Sequence, residues 1–186
     1  MPAVAFPSRH ISVEDYLDGE MSAEEKHEYY AGVVVAMAGA SVSHNKISLN
    51  LALALKSHLR GGGCDVFVEG VKARLQVGED DLFFYPDLMV ACNPTDNDPF
   101  YRRDPKLVIE VLSESTELND RTTKFIAYRQ IAALEEYVLV SQDVDEPRVE
   151  IFRRNEDWQP VHYSEGDVEL KSVDLSLPLA EIYEGV

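Results

Sequence analysis

Most of the chain alternates apolar and polar positions with a helical or strand period, but two stretches do neither: Leu82-Phe83-Phe84-Tyr85-Pro86-Asp87-Leu88-Met89-Val90-Ala91 and Leu107-Val108-Ile109-Glu110-Val111-Leu112. Continuous apolar runs of this length predict strands covered on both faces. Each run carries one acidic residue, Asp87 and Glu110, and both are therefore expected to enter the core. A carboxylate removed from water costs several kcal/mol unless a cation or a set of donors compensates it. Something positive is expected between them.

The rest of the pattern supplies a frame. Ser12-Val13-Glu14-Asp15 reads as a helix start with a short helix running to Gly19. Ser22 opens a second candidate helix, Ala23 to Glu28, which leads into a strand-like stretch, Tyr29 to Ala38, around a turn at Gly32. Glu28 is thus placed at a helix-to-strand junction, where an ordinary exposed glutamate is the alternative reading. From Ser43 to Leu59, Ile47, Leu51, Leu55 and Leu59 recur every four positions, predicting an amphipathic helix stopped by Gly61-Gly62-Gly63. His44 lies on that inward stripe, as a core histidine or a functional one.

Strands are expected at Cys64 to Val77, Phe83 to Cys92 and Lys106 to Leu112, with Asn93 to Pro99 a surface loop dense in turn formers. A helix capped at Asp120 and running to Ile131 places Lys124, Tyr128 and Ile131 on one packing stripe. Strands then follow at Glu136 to Val140, Arg148 to Arg154 and Trp158 to Tyr163, with a short helix at Leu179 to Tyr183. No repeat, low-complexity tract or linker divides residues 1–186, so one domain of mixed α/β (α+β) class is expected, a central mixed sheet flanked by helices.

Composition narrows the setting. The 186 residues are 45% hydrophobic, enough for a sizeable core. With Pro2, Pro7, Arg9 and His10 in its first ten residues and no long uncharged apolar run after them, the start is not expected to be a signal peptide, and no apolar stretch approaches a membrane span. Cys64 and Cys92 have no metal-type spacing and read as buried free thiols of a cytoplasmic protein, with a disulfide as the alternative. The net charge of −17 opposes binding of a polyanion. Local basic groups do occur at Lys72 with Arg74, at Arg102, Arg103 and Lys106, and at Arg121, Lys124 and Arg129, although such groups are commonly solvated faces.

Asp87, Glu110 and Lys124 together suggest a chemistry. Two carboxylates on neighbouring strands suit a hard divalent cation such as Mg²⁺ or Mn²⁺, which keeps some waters and takes further ligands from substrate phosphate. A lysine beside them supplies a compact positive charge to orient or deprotonate a water and to steady charge developing on phosphorus. Pro86, which cannot donate to a sheet ladder, marks a place where a side chain can be redirected into a cleft. The competing reading has Asp87 and Glu110 capping turns or pairing with arginines such as Arg74 or Arg121.

Tyr85-Pro86-Asp87 and Ile109-Glu110-Val111-Leu112-Ser113 resemble the signature of the PD-(D/E)XK, or restriction-endonuclease-like, nuclease superfamily. More closely, the run Pro105 to Val140, with Glu110-Val111-Leu112-Ser113, Asp120-Arg121, Lys124, Tyr128 and Glu136-Tyr137, is similar to the Uma family of endonucleases. Glu28, Gly32 and His44 also match that family's pattern, and the likeness spans residues 12 to 183. It implies a restriction-endonuclease-like mixed sheet between helices, Asp87, Glu110 and Glu28 as metal ligands, and Asp87, Glu110, Lys124, Glu28 and His44 as the catalytic set. One departure is plain: the superfamily's lysine position, two after the second acid, holds Leu112. Lys124 on the next helix is expected to replace it, with Lys72 the second candidate.

The expected activity is Mg²⁺- or Mn²⁺-dependent hydrolysis of DNA by a metal-activated water, in a cytoplasmic homodimer, since a double-strand cutter needs two sites. The alternative is a catalytically inactive nuclease-fold module used for nucleic-acid or protein binding.

Overall fold

In the computed structural model, which describes residues 10–186, the helix expected after Ser12 forms as α1, Val13–Glu20. Ser12 Oγ accepts a hydrogen bond from Asp15 N at 3.1 Å, closing the first turn. Pro2, Pro7 and Arg9 lie outside the described residues.

The second expected helix does not form. Residues 23–26 are turn and irregular chain, and β1, His27–Tyr30, pairs antiparallel with β2, Val33–Ala36. Ala31 and Gly32 join them with φ of 46° and 97°, both positive, as a two-residue hairpin turn of this kind requires. Ala23 to Glu28 offers a helix no apolar stripe to bury, whereas Tyr29 opposite Val34 gives the hairpin one, and the hairpin wins. Glu28 therefore stands on a strand rather than at the end of a helix.

α2, Val42–His58, begins at Ser41, whose Oγ accepts from His44 N at 3.0 Å, and buries Ile47, Leu51 and Leu55. The two long strands expected next are each cut in two: β3 Asp65–Val68 and β4 Lys72–Val77, then β5 Asp80–Phe84 and β6 Leu88–Ala91. β7 Tyr101–Arg102, β8 Pro105–Leu112, β9 Glu136–Ser141, β10 Val149–Arg153 and β11 Pro160–Tyr163 follow. Between β8 and β9 runs a helical segment of three parts: α3 Glu117–Asn119, a π turn Asp120–Lys124 and α4 Phe125–Tyr128. The chain closes with β12 Asp167–Leu170, β13 Leu175–Pro178 and α5 Leu179–Ile182, of which the β12–β13 hairpin has no counterpart in the sequence reading.

The strands form one sheet ordered β2-β1-β5-β4-β7, a second ordered β11-β10-β9-β8-β6-β3, and the β12–β13 hairpin. Both large sheets are mixed, with parallel pairs at β4–β7 and β8–β9. Alternate residues of β8 serve different cores: Leu107, Ile109 and Val111 pack with α2 and the C-terminal hairpin, while Val108 and Leu112 pack with Ala73, Phe84 and Tyr128 between the sheets. By that alternation Glu110 faces the space between the sheets. A third cluster, Tyr16, Tyr29, Phe83 and Tyr101, seats α1 on the outer face of the first sheet. Tyr85-Pro86-Asp87 is the crossing between the sheets, which is why the apolar run that contains it is not one strand.

The free-thiol reading of the cysteines is overturned. β3 and β6 are antiparallel with Asp65 opposite Ala91, so Cys64 and Cys92 fall opposite each other at the strand ends and form a disulfide. The argument from free thiols to a cytoplasmic setting falls with it. Among the described residues, no helix is long and apolar enough to cross a membrane.

Candidate active site

A cleft of about 970 Å³ opens beside the crossing, lined by strand, hairpin and helix residues that include Glu28, His44, Asp87, Glu110, Asp120 and Lys124. Each is delivered by a different local rule. Glu110 comes from the alternation of β8, Glu28 from that of β1, and Asp87 from the Pro86 break that leaves its side chain partly exposed. His44 stands in the first turn of α2. Asp120 and Lys124 come from the two ends of the π turn, a rare widened turn that recurs at functional sites.

The convergence expected of Asp87, Glu110 and Lys124 is present. Lys124 Nζ lies 3.0 Å from Glu28 Oε1, 3.3 Å from Glu110 Oε1 and 3.3 Å from Asp120 Oδ1. Glu110 Oε2 accepts from Asp87 N at 3.2 Å, and Asp87 Oδ2 accepts from Val111 N at 2.6 Å, so the two acids are laced together through each other's backbone. His44 Nε2 sits 3.1 Å from Asp87 Oδ2. Tyr128 Oη donates to Glu110 Oε1 at 3.3 Å and Tyr30 Oη donates to Glu28 Oε2 at 2.7 Å. Neither arginine considered as a structural partner takes part: Arg74 pairs with Asp81, and Arg121 with Glu117 and Glu150.

Burial makes this cluster electrostatically tense. Glu110 and Asp120 are each 2% exposed and Lys124 5%. Desolvation pushes the Glu110 carboxyl well above the usual carboxylate range even though Lys124 pulls it down, because Asp120, Asp87 and Glu28 repel a further charge. Asp120 is raised for the same first reason. Burial alone would lower the Lys124 amine, but Glu110, Glu28 and Asp120 outweigh it and hold the amine well above its ordinary value. Lys124 is thus a fixed cation. His44 is also raised: burial works against its charge, and the bond to Asp87 prevails.

Among the described residues, no three His, Cys, Asp or Glu side chains are grouped so as to hold an ion by themselves. Asp87 and Glu110 can supply carboxylate oxygens to a hard cation that keeps water and substrate ligands, although both Glu110 oxygens, engaged by Lys124, Tyr128 and Asp87 N, are already in use, as are both Glu28 oxygens, engaged by Lys124, Tyr85 N and Tyr30 Oη. The donor set fits such a cation: Asp87 and Glu110 are laced together at the cleft, and the buried carboxylates around them share one ammonium, which leaves negative charge in excess.

Lys72, the second candidate for the missing lysine, is buried but faces elsewhere. Its Nζ donates to Tyr85 Oη at 3.1 Å, and Tyr85 Oη donates in turn to Glu20 Oε1 at 3.0 Å. Sequence reasoning missed Asp120 as a cleft residue by taking it for a helix cap; the helical segment starts earlier, at Glu117. The signal was its spacing of four from Lys124, which puts both on one face.

Residues 13–180 match the Uma2 family model, described as "Putative restriction endonuclease". Two uncharacterized proteins of Synechocystis sp. are similar to the chain: slr1290, 37% identical over all of this chain and 96% of its own length, and sll1609, 36% identical over 71% of this chain and 75% of its own. The fold is similar to a crystal structure of a "putative nuclease belonging to DUF820" from Anabaena variabilis, with a TM-score of 0.72, 17% identity and coverage of 93% of this chain and 97% of that one.

Proposed function

The chain belongs to the Uma2 family, whose model is described as "Putative restriction endonuclease", and from that membership we propose that it is a metal-dependent endonuclease hydrolysing phosphodiester bonds of DNA. The observation that carries this reading is the buried Lys124 ammonium shared by Glu28, Glu110 and Asp120 at the wall of an open cleft, with Asp87 laced to Glu110 beside it. Asp87 and Glu110 would hold the cation, with Glu28 a further acid alongside. Bound Mg²⁺ or Mn²⁺ would supply a water of lowered pKa and Lewis-acid polarisation of the phosphate. Lys124, kept protonated by its carboxylates, acts as a donor and a positive charge rather than as a base, orienting the attacking water and steadying the charge that builds on the phosphate oxygens. His44 fixes Asp87 from the far side through Nε2, and Tyr128 fixes Glu110. Action as a homodimer belongs to the same proposal, whereas the Cys64–Cys92 disulfide removes the ground for a cytoplasmic setting.

Plasmid nicking with Mg²⁺ or Mn²⁺ tests it. The parent protein converts supercoiled to nicked plasmid and Asp87→Ala does not; equal activity in the two removes Asp87 from the reaction. A second reading, a nuclease fold that binds without cutting, is favoured by the net charge of −17. Calorimetry separates them, because an inactive module takes up neither cation at millimolar concentration.

A further inference from the structure

Lys124 can donate three hydrogen bonds, and the three carboxylates around it are not equivalent. Glu110 Oε1 also accepts from Tyr128 Oη, and Glu110 is one of the two acids assigned to the cation. Glu28 Oε1 also accepts from Tyr85 N, and its other oxygen from Tyr30 Oη. Asp120 Oδ1, 3.3 Å from Nζ, takes no hydrogen bond from any other described group, although Asp120 is 2% exposed and lines the cleft. Besides the ammonium, Thr116 bonds the Asp120 carboxylate, which leaves Oδ1 to Lys124.

We propose that Asp120 is the positioning residue of this site: the dedicated counter-charge that keeps the Lys124 ammonium in place while Glu110 serves a divalent cation. The inference rests on the nuclease reading. A cation at Glu110 repels the ammonium 3.3 Å from the same carboxylate and weakens the attraction that held it there. Glu28 and Asp120 must then anchor Lys124, and Asp120 is the one with capacity to spare. The backbone is built to keep it there, since the buried Tyr137 donates its Oη to Asp120 O at 2.9 Å and pins the start of the π turn. Asp120 therefore acts through Lys124 and touches neither substrate nor cation.

The test is a cycle of Asp120→Asn, Lys124→Met and the double variant, with Asp120→Glu as the charge-conserving control. Each is followed by plasmid nicking with Mn²⁺ and by cation-free thermal unfolding. Asp120→Asn is expected to lower kcat by about tenfold or more while changing KM less than about twofold, the signature of a positioning loss. In the Lys124→Met background the same substitution should change nothing further, and Asp120→Glu should recover part of the rate. In unfolding, the shift of the double variant should differ from the sum of the single shifts. Unchanged kcat, multiplying effects, or equal losses for Asn and Glu overturn the proposal. If the parent cuts no DNA with any cation, the nuclease reading is what has failed, and the unfolding cycle alone decides: additive shifts sink the Asp120–Lys124 pairing and non-additive shifts sustain it.

Discussion

Two buried ion clusters draw on the same six-stranded sheet, one through β9 and β10 and the other through β8, and are balanced in opposite ways. Glu136 and Arg153, 1% and 2% exposed, meet at 2.8 Å, and every oxygen of Glu136 is used: Arg153 Nε and Lys171 N on one, Ser172 N and Ser172 Oγ on the other. The remaining Arg153 donors reach Glu156, Tyr163 and Glu169 O. Here the desolvation of both ions is offset by partners, and the result is a staple that ties β9 and β10 to the turn after β12. In the cleft, the single ammonium of Lys124 faces Glu28, Glu110 and Asp120, with Asp87 close behind, and Asp120 Oδ1 is left without a donor. A fold that satisfies Glu136 so fully has the means to satisfy Asp120, whose Oδ1 has no hydrogen-bond donor among the described groups. That it does not marks the cleft as the candidate site, because unbalanced burial is tolerated where an outside partner is expected.

Breaking the balanced cluster should have the largest effect. Arg153→Met leaves Glu136 buried and unpaired and is expected to cost about 3–5 kcal/mol in urea unfolding. A loss below about 1 kcal/mol would erase the distinction between the two clusters. Opening the Cys64–Cys92 crosslink sharpens the comparison by disturbing the sheet edge outside both clusters. With a separation of 28 residues, the Cys64→Ser/Cys92→Ser variant should lose about 3–4 kcal/mol, seen as a lower urea midpoint than the oxidised parent.

Glu110→Gln should behave in the reverse manner to Arg153→Met. Removing surplus charge leaves cation-free stability within about 1 kcal/mol of the parent or above it. Nicking with Mn²⁺ should nevertheless fall by about 100-fold or more, since a ligand of the cation is gone. The smallest effect is in pH. Glu110 and Asp120 are held above their ordinary values of 4.5 and 3.8, so the stability they contribute is fully present below those values and is lost as pH rises through the raised ones. The unfolding temperature of the parent minus that of Glu110→Gln should therefore decline from about pH 4.5 upward in the absence of divalent cation. A flat difference would mean that Glu110 ionises in the fold as it does in the unfolded chain.

The acids Asp87 and Glu110 were legible because a charge inside an apolar run is improbable without a reason, and Lys124 because helical spacing aims it inward. That signal cannot grade what it finds: Glu136 begins an equally apolar run, and only the arginine brought to it by strand pairing shows that it is structural. Glu28 was legible through resemblance but was placed on a helix, since charged residues before it mimic one and the competing hairpin depends on Val34 across the turn. Lys72 was legible as a second candidate for the missing lysine but not in direction, because which sheet its strand joins is settled by pairing with β5 and β7. The cysteine pair is the same case: nothing local to Cys64 or Cys92 reveals that β3 and β6 are neighbours.

The crossing at Tyr85-Pro86-Asp87 also restricts how this chain can change in length. β5 and β6 serve different sheets, and the path between Phe84 and Leu88 sets both the register of each strand and the aim of Asp87. A single residue inserted or deleted there would turn one strand's inward side chains outward and carry the acid away from Glu110. The 93–99 loop, which bridges β6 and β7 and buries Asp96 against Arg103 N and Asp104 N, aims no acid into the cleft. Relatives that retain the cleft should therefore vary in length at the loop and hold it constant at the crossing.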